Sequence, residues 1–135
     1  EAAGSILRAS RVLSSGMVLM IAGDVRWSGA HTSPAEFLGR RYDFSNTWVK
    51  LAAMTGAAVV PVFCRFDDDG AFLLEFLDPY TIPRDHTEPE QVAGHVQDNL
   101  RVIETHVARS PANSNEYFFW SEADSAGAQL LARAD

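Results

Sequence analysis

A single cysteine, Cys64, excludes any internal disulfide, so no covalent staple holds this chain together. It lies inside an apolar run and is expected to be a buried thiol rather than a nucleophile. Basic residues are scarce, 11 Lys and Arg against 18 Asp and Glu, and the net charge is −7. A nucleic-acid binder needs basic surface to meet phosphates, so that class is set aside. No apolar run approaches the roughly 18 residues of a membrane-spanning helix, and no signal peptide heads the chain. The motifs G-x-S-x-G, P-loop and G-x-G-x-x-G are absent, which removes the nucleophile elbow and the common nucleotide cradles. His86, His95 and His106 lack metal-ligand spacing, and His95 and His106 fall off the apolar stripe of their helix, as surface residues would. Asp67-Asp68-Asp69-Gly70 lacks the alternate ligands and closing glutamate of a calcium loop and is read as a turn.

What remains is ordinary globular composition, 47% hydrophobic and 21% charged over 135 residues, enough for one domain, 1–135, with a sizeable core. Residues 2–14 have the pattern of an amphipathic helix that Gly16 can end. The run MVLMIA at 17–22 is continuously apolar and predicts a buried strand. Residues 23–42, punctuated by Gly29, Pro34 and Gly39, read as a long, partly packed loop. A helix is expected over 46–55, capped by Asp43 or Ser45 and closed by Gly56. AAVVPVF at 57–63 predicts a second buried strand, with Pro61 at an end or a donor-free position. A turn at 65–70 leads to a third strand over 71–77. Thr87-Glu88-Pro89-Glu90 has the form of a capping box. The helix it opens carries Val92, Val96, Leu100, Ile103 and Val107 on one stripe. Tyr117 to Trp120 read as a short aromatic strand or packed tail, and 123–135 as a weak helix or frayed end. This order predicts an α/β fold with a partly parallel sheet flanked by helices, the strands at 17–22 and 57–63 joined by a right-handed crossover.

Where the first apolar run stops, Asp24 and Arg26 follow at the sheet edge. Two residues apart on an extended segment they point to one side. They either present an acceptor and a planar donor fork to a ligand or form a structural ion pair. Arg40 and Arg41 either bind phosphate or carboxylate or are merely solvated. His31 and Glu36 have the form H-x4-E, a base with an orienting carboxylate when both lie on adjacent helical turns. Pro34 between them opposes that geometry, and a chance match is the competing reading.

Taken together the motifs GMVLMIAGD (16–24), EFLGR (36–40), WVKLAAMTGAAVVPV (48–62), Ile103-Glu104, Ser110-Pro111 and the aromatic tail resemble the lysophospholipid and lipid A acyltransferase superfamily. The likeness is to the late (lauroyl/myristoyl) lipid A acyltransferases, over about 5–120, and implies a glycerolipid-acyltransferase-like fold. It implies transfer of a fatty acyl group from an acyl-carrier-protein or coenzyme A thioester, the co-substrate, to a lipid hydroxyl, with no bound cofactor. Peripheral membrane contact at the cytoplasmic face of the bacterial inner membrane is implied as well. In that family a histidine of H-x4-D/E deprotonates the acceptor hydroxyl, and it precedes the strand matched by 17–22. A later acid–arginine block holds the acceptor head; Asp24 and Arg26 match it, with Arg40 beside them.

The resemblance implies a C-terminal portion of the fold, inactive alone without the upstream histidine block. The tail Tyr117-Phe118-Phe119-Trp120-Ser121-Glu122 replaces a tryptophan- and arginine-rich segment. With the acidic net charge, it favours a less charged lipid or another hydroxyl acceptor. Two alternatives stay open: a non-catalytic α/β lipid-binding or interaction domain, and a minimal enzyme using His31 and Glu36 as a relocated dyad.

Overall fold

The computed structural model describes residues 2–120. Three helices, α1 (Ala2–Ser14), α2 (Thr47–Thr55) and α3 (Pro89–Arg109), accompany two antiparallel hairpins, β1 (Thr32–Phe37) with β2 (Arg40–Ser45) and β3 (Val62–Phe66) with β4 (Phe72–Phe76). Two short 3-10 turns, Pro111–Asn113 and Asn115–Phe119, follow α3. The architecture is mixed α/β, but among the described residues both sheets are two-stranded and antiparallel.

α3 is the organising helix. Its stripe of Val92, Val96, Leu100, Ile103 and Val107 is buried, as the apolar spacing predicts. The cap sits one residue later than Thr87. Pro89 occupies the first helical position, and a residue before proline is pushed to extended backbone, so Glu88 (φ −68°, ψ 146°) becomes the N-cap. Its backbone N–H donates to Gln91 Oε1 at 3.2 Å. α2 buries Trp48, Val49, Leu51, Ala52 and Ala53, and Gly56 closes it with φ 70° and a 2.8 Å bond from its N–H to the Ala52 carbonyl. Asn46, not Asp43 or Ser45, stands at its N-cap position, and its side chain donates to Ser33 Oγ.

The stretch expected as loop contains a hairpin. β1 alternates buried Ser33, Ala35 and Phe37 with exposed Pro34 and Glu36, and pairs Phe37 with Arg40 across a two-residue turn. Leu38 (φ 51°) and Gly39 (φ 73°) both take left-handed backbone, the requirement of a tight turn whose twist matches its strands. Proline is tolerated because β1 pairs on one side alone. Its other side is met by a helix side chain: Gln97 accepts from the Glu36 N–H and donates to the Glu36 carbonyl, both at 2.9 Å.

The buried strand expected at 17–22 does not form. The segment takes no regular secondary structure, no described strand pairs with it, and Val18 and Met20 are 93% exposed. A continuous apolar run signals that burial is possible, but a partner must supply it. The parallel crossover is therefore absent. In the second run β3 begins only after Pro61, and Val59 bridges Tyr80 instead. Cys64 lies on the outward face of β3 and is exposed, not buried. The turn between β3 and β4 is held by Asp67 Oδ1, which accepts from the Asp69 and Ala71 N–H groups, with Gly70 at φ 81°. The aromatic tail forms the second 3-10 turn rather than a strand, and the expected helix at 123–135 lies outside the described residues.

Phe37, Phe44, Val49, Val92, Val96 and Leu100 form the most deeply buried set, between the first hairpin, α2 and α3. Replacing Leu100 by alanine is expected to cost about 2–5 kcal/mol of unfolding free energy. Gly39→Val, which forces a branched side chain into left-handed backbone, is expected to cost about 1–2 kcal/mol. Urea denaturation measures both.

Candidate functional site

Asp24 and Arg26 are positioned by backbone that joins β2 as a short added pairing. The Ser45 N–H donates to the Val25 carbonyl (2.8 Å) and the Trp27 N–H to the Asp43 carbonyl (3.1 Å), placing Arg26 opposite Phe44. Just before it, Gly23 is pinned by Asn99 of α3, whose Nδ2 donates to the Gly23 carbonyl at 3.2 Å. A Cβ on Gly23 would lie 2.8 Å from that amide nitrogen, so a side chain here would push the clamp away.

The corner then closes on the aromatic tail. The Tyr117 hydroxyl donates to Asp24 Oδ2 at 2.6 Å. Burial first, and the adjoining carboxylate second, push the phenol far above its ordinary value, so it remains a donor throughout the physiological range. The Arg26 guanidinium carbon lies 4.7 Å from the Tyr42 ring centroid and 4.8 Å from that of Trp120, within cation–π range of both. Arg40 Nη1 donates to the Trp120 carbonyl at 3.1 Å. Trp120 also packs edge-on to Tyr117 and Tyr42 and tilted on Phe37 and Phe44. Asp24, Arg26 and Arg40 thus converge on one aromatic cluster, with Asp24 and Arg26 half-buried.

His31 and Glu36 are not brought together. His31 sits before β1 with φ 73°, its carbonyl accepting from the Asn46 N–H, while Glu36 is near the far end of that strand, opposite Arg41. The five residue steps from His31 to Glu36, run out along β1, span about 16 Å. The H-x4-E spacing works on a helix, and here it falls on a strand.

Two histidine sites have no signal in residue spacing. His106, expected on the surface, is buried: it stacks on Phe63 with ring centroids 4.2 Å apart, and its Nδ1 is 3.9 Å from Glu75 Oε2. Glu75 also pairs with Arg109 at 3.3 Å. These groups border a cleft of about 130 Å³. Burial pushes the His106 imidazole below its ordinary value, with Arg109 and Arg65 adding to the shift and Glu75 opposing it. His95 is half-buried and bonded through Nε2 to His86 Nδ1 at 2.9 Å. Burial and His86 lower it too, against Asp98. Both partners needed long-range contacts, β3 and β4 for one and the loop before α3 for the other. Among the described residues no group of three or more potential metal ligands comes together, and no helix is long and apolar enough to cross a membrane.

Residues 2–120 match the model of a family described as bacterial lipid A biosynthesis acyltransferase. No curated protein matches the chain.

Tyr117→Phe is expected to remove a hydrogen bond to a charged acceptor and cost about 1–2 kcal/mol in urea denaturation. Because His95 and His106 bind protons less readily when folded, the unfolded chain gains protons first as pH falls through about 6.5. The stability they contribute is therefore complete above that pH and declines on acidification until the lower folded-state values are passed. The urea midpoint is expected to fall between pH 7.5 and 5.5, and His106→Gln to flatten part of that slope.

Proposed function

Since the chain belongs to the bacterial lipid A biosynthesis acyltransferase family, we propose that residues 2–120 form the acceptor-binding part of an acyl-transfer fold. The reaction is transfer of a fatty acyl group from an acyl-carrier-protein or coenzyme A thioester to a lipid hydroxyl. A base removes the hydroxyl proton, the alkoxide oxygen attacks the thioester carbonyl, and the thiol leaves. The one H-x4-E of the sequence spans a strand, so His31 and Glu36 are not assigned as the base and its orienting partner. Partners on this reading are the acyl carrier or coenzyme A, the lipid acceptor and a membrane surface touched peripherally, at the cytoplasmic face of the inner membrane.

The observation that carries the reading is the convergence of Arg26 and Arg40 on Trp120 in a chain of net charge −7. Both guanidinium groups border the same aromatic residue, and planar donor forks of this kind suit an anionic head group. Asp24, held by Tyr117, offers an acceptor for a head-group hydroxyl. Arg26 is stiffened by two aromatic faces, so less side-chain freedom is lost when it engages a ligand. The separation of His31 from Glu36 favours a second reading, a lipid-binding domain without catalysis.

Although the acidic net charge favours a less charged acceptor, the two guanidinium groups suit an anionic one, so a phosphorylated glycolipid head group is expected to bind the chain, measured by calorimetry, and Arg40→Ala to weaken it about tenfold, the loss of roughly 1.4 kcal/mol. Thioester turnover by the chain alone, abolished in His31→Ala, would restore His31 as the base. Absence of head-group binding would overturn the acceptor site.

A further inference from the structure

The exposed turn at 83–87, between β4 and α3, is tied down by a histidine pair. Pro83, Arg84, Asp85 and Thr87 are exposed, and the backbone bonds inside the turn are local. The His86 N–H donates to the Pro83 carbonyl at 3.1 Å and the Thr87 N–H to the Asp85 carbonyl at 2.9 Å. Among the described residues, the hydrogen bond from this turn to another element joins His86 Nδ1 to His95 Nε2 of α3, at 2.9 Å, and His86 is the one residue of 83–88 that is not exposed. The two ring centroids stand 5.2 Å apart, farther than the nitrogens by about one ring width, so the nitrogens point at each other along one line. That is the geometry of an N–H···N bond; two ligands of one metal ion would converge on it at an angle.

We propose that His86 and His95 form a proton-operated clasp, which holds the 83–87 turn on α3 and releases it in acid. A neutral imidazole has one donor and one acceptor nitrogen, and an imidazolium has two donors. With both rings neutral, one facing nitrogen donates and the other accepts. A first added proton leaves the bond in place, because a charged ring donates to a neutral one in a charge-assisted bond. A second proton puts an N–H on each facing nitrogen, so the bond is lost and two cations face each other. Burial first, and His86 second, hold the His95 imidazole below its ordinary value, which suits it to the acceptor's place; Asp98, one turn along α3, opposes that shift. Tyr80, on the loop after β4, also lies within reach of Asp98. Its phenol is pushed up by burial and then by that carboxylate, so it stays neutral beside the pair. Arg84 and Asp85 flank His86 in exposed positions. Arg84 also reaches the end of α2, where its Nη2 lies 3.1 Å from the place of a Cβ on Gly56. A cation there suits the unpaired carbonyls of a helix end, and release of the turn withdraws it.

The pair titrates as a unit in two steps, and the clasp opens in the second, below the ordinary histidine value of about 6.5. Nuclear magnetic resonance of the whole chain, labelled with nitrogen-15, tests this. A scalar coupling between His86 Nδ1 and His95 Nε2 is expected at about pH 7.5 and its loss by about pH 4.5. Over the same range, hydrogen exchange at the His86 and Thr87 amides, corrected for its intrinsic pH dependence, is expected to quicken about tenfold while Val96 and Leu100 stay protected. His95→Gln, which keeps a polar side chain but takes up no proton, is expected to make that exchange independent of pH. His86→Phe, which cannot form the bond, is expected to quicken it at every pH. Independent titration of the two rings without coupling would overturn the clasp, as would a coupling that persists in acid. Acid opening unchanged in His95→Gln would place the switch on another group. Exchange at Val96 and Leu100 rising in step with the turn would make the transition global unfolding, and would overturn the proposal as well.

Discussion

The constraint on which the structure rests is that α3 must serve as more than an apolar stripe. Its two flanks carry amides and a carboxylate that bond directly to main chain elsewhere. On one flank Gln97 clasps Glu36 through both its N–H and carbonyl, and Glu104, two turns on, accepts from the Leu38 N–H at 2.6 Å. On the other flank Asn99 holds the Gly23 carbonyl. The first hairpin lacks a third strand on its β1 side, and an unpaired strand edge must find partners. Gln97 supplies them for one residue. The Glu104 bond stabilises the left-handed turn in which Leu38, a non-glycine residue, carries strain.

That scaffold explains the aromatic corner. With the turn between β1 and β2 anchored to α3, Phe37, Tyr42 and Phe44 are presented on one side. The chain leaving α3 brings Tyr117 and Trp120 back onto them. Asp24 and Arg26 arrive from the opposite direction, steered by Gly23 and the short pairing with β2. The corner is made of parts separated by more than 90 positions in sequence, and each is held by at least one polar bond to its neighbour. Head-group recognition benefits from this arrangement because the binding groups are oriented before the ligand arrives.

The fold was legible where the signal is local. The stripe of α3, the glycine that closes α2 and the aspartate–glycine turn before β4 all follow from helical period, left-handed backbone or short-range side-chain bonding. The first hairpin was hidden because Gly29, Pro34 and Gly39 look like loop punctuation. Proline was acceptable only because a helix rather than a strand lies beyond β1. Asp24, Arg26 and Arg40 could be singled out by residue type and spacing. Their aromatic partners could not, since nothing in a linear pattern ties residue 24 to residue 117.

Sequence alone determined the three long helices, the aspartate–glycine turn before β4 and membership of an acyltransferase family, because period, capping chemistry and motif order are properties of short stretches or of their succession. Tertiary structure decided which apolar runs are buried. MVLMIA and the outward face of β3–β4 have the composition of core, yet both lie open among the described residues, while His106 lies inside. Apolar character sets the free energy available on burial. Whether it is realised depends on a surface arriving from elsewhere, and that is a property of the whole assembly of elements, not of any one of them.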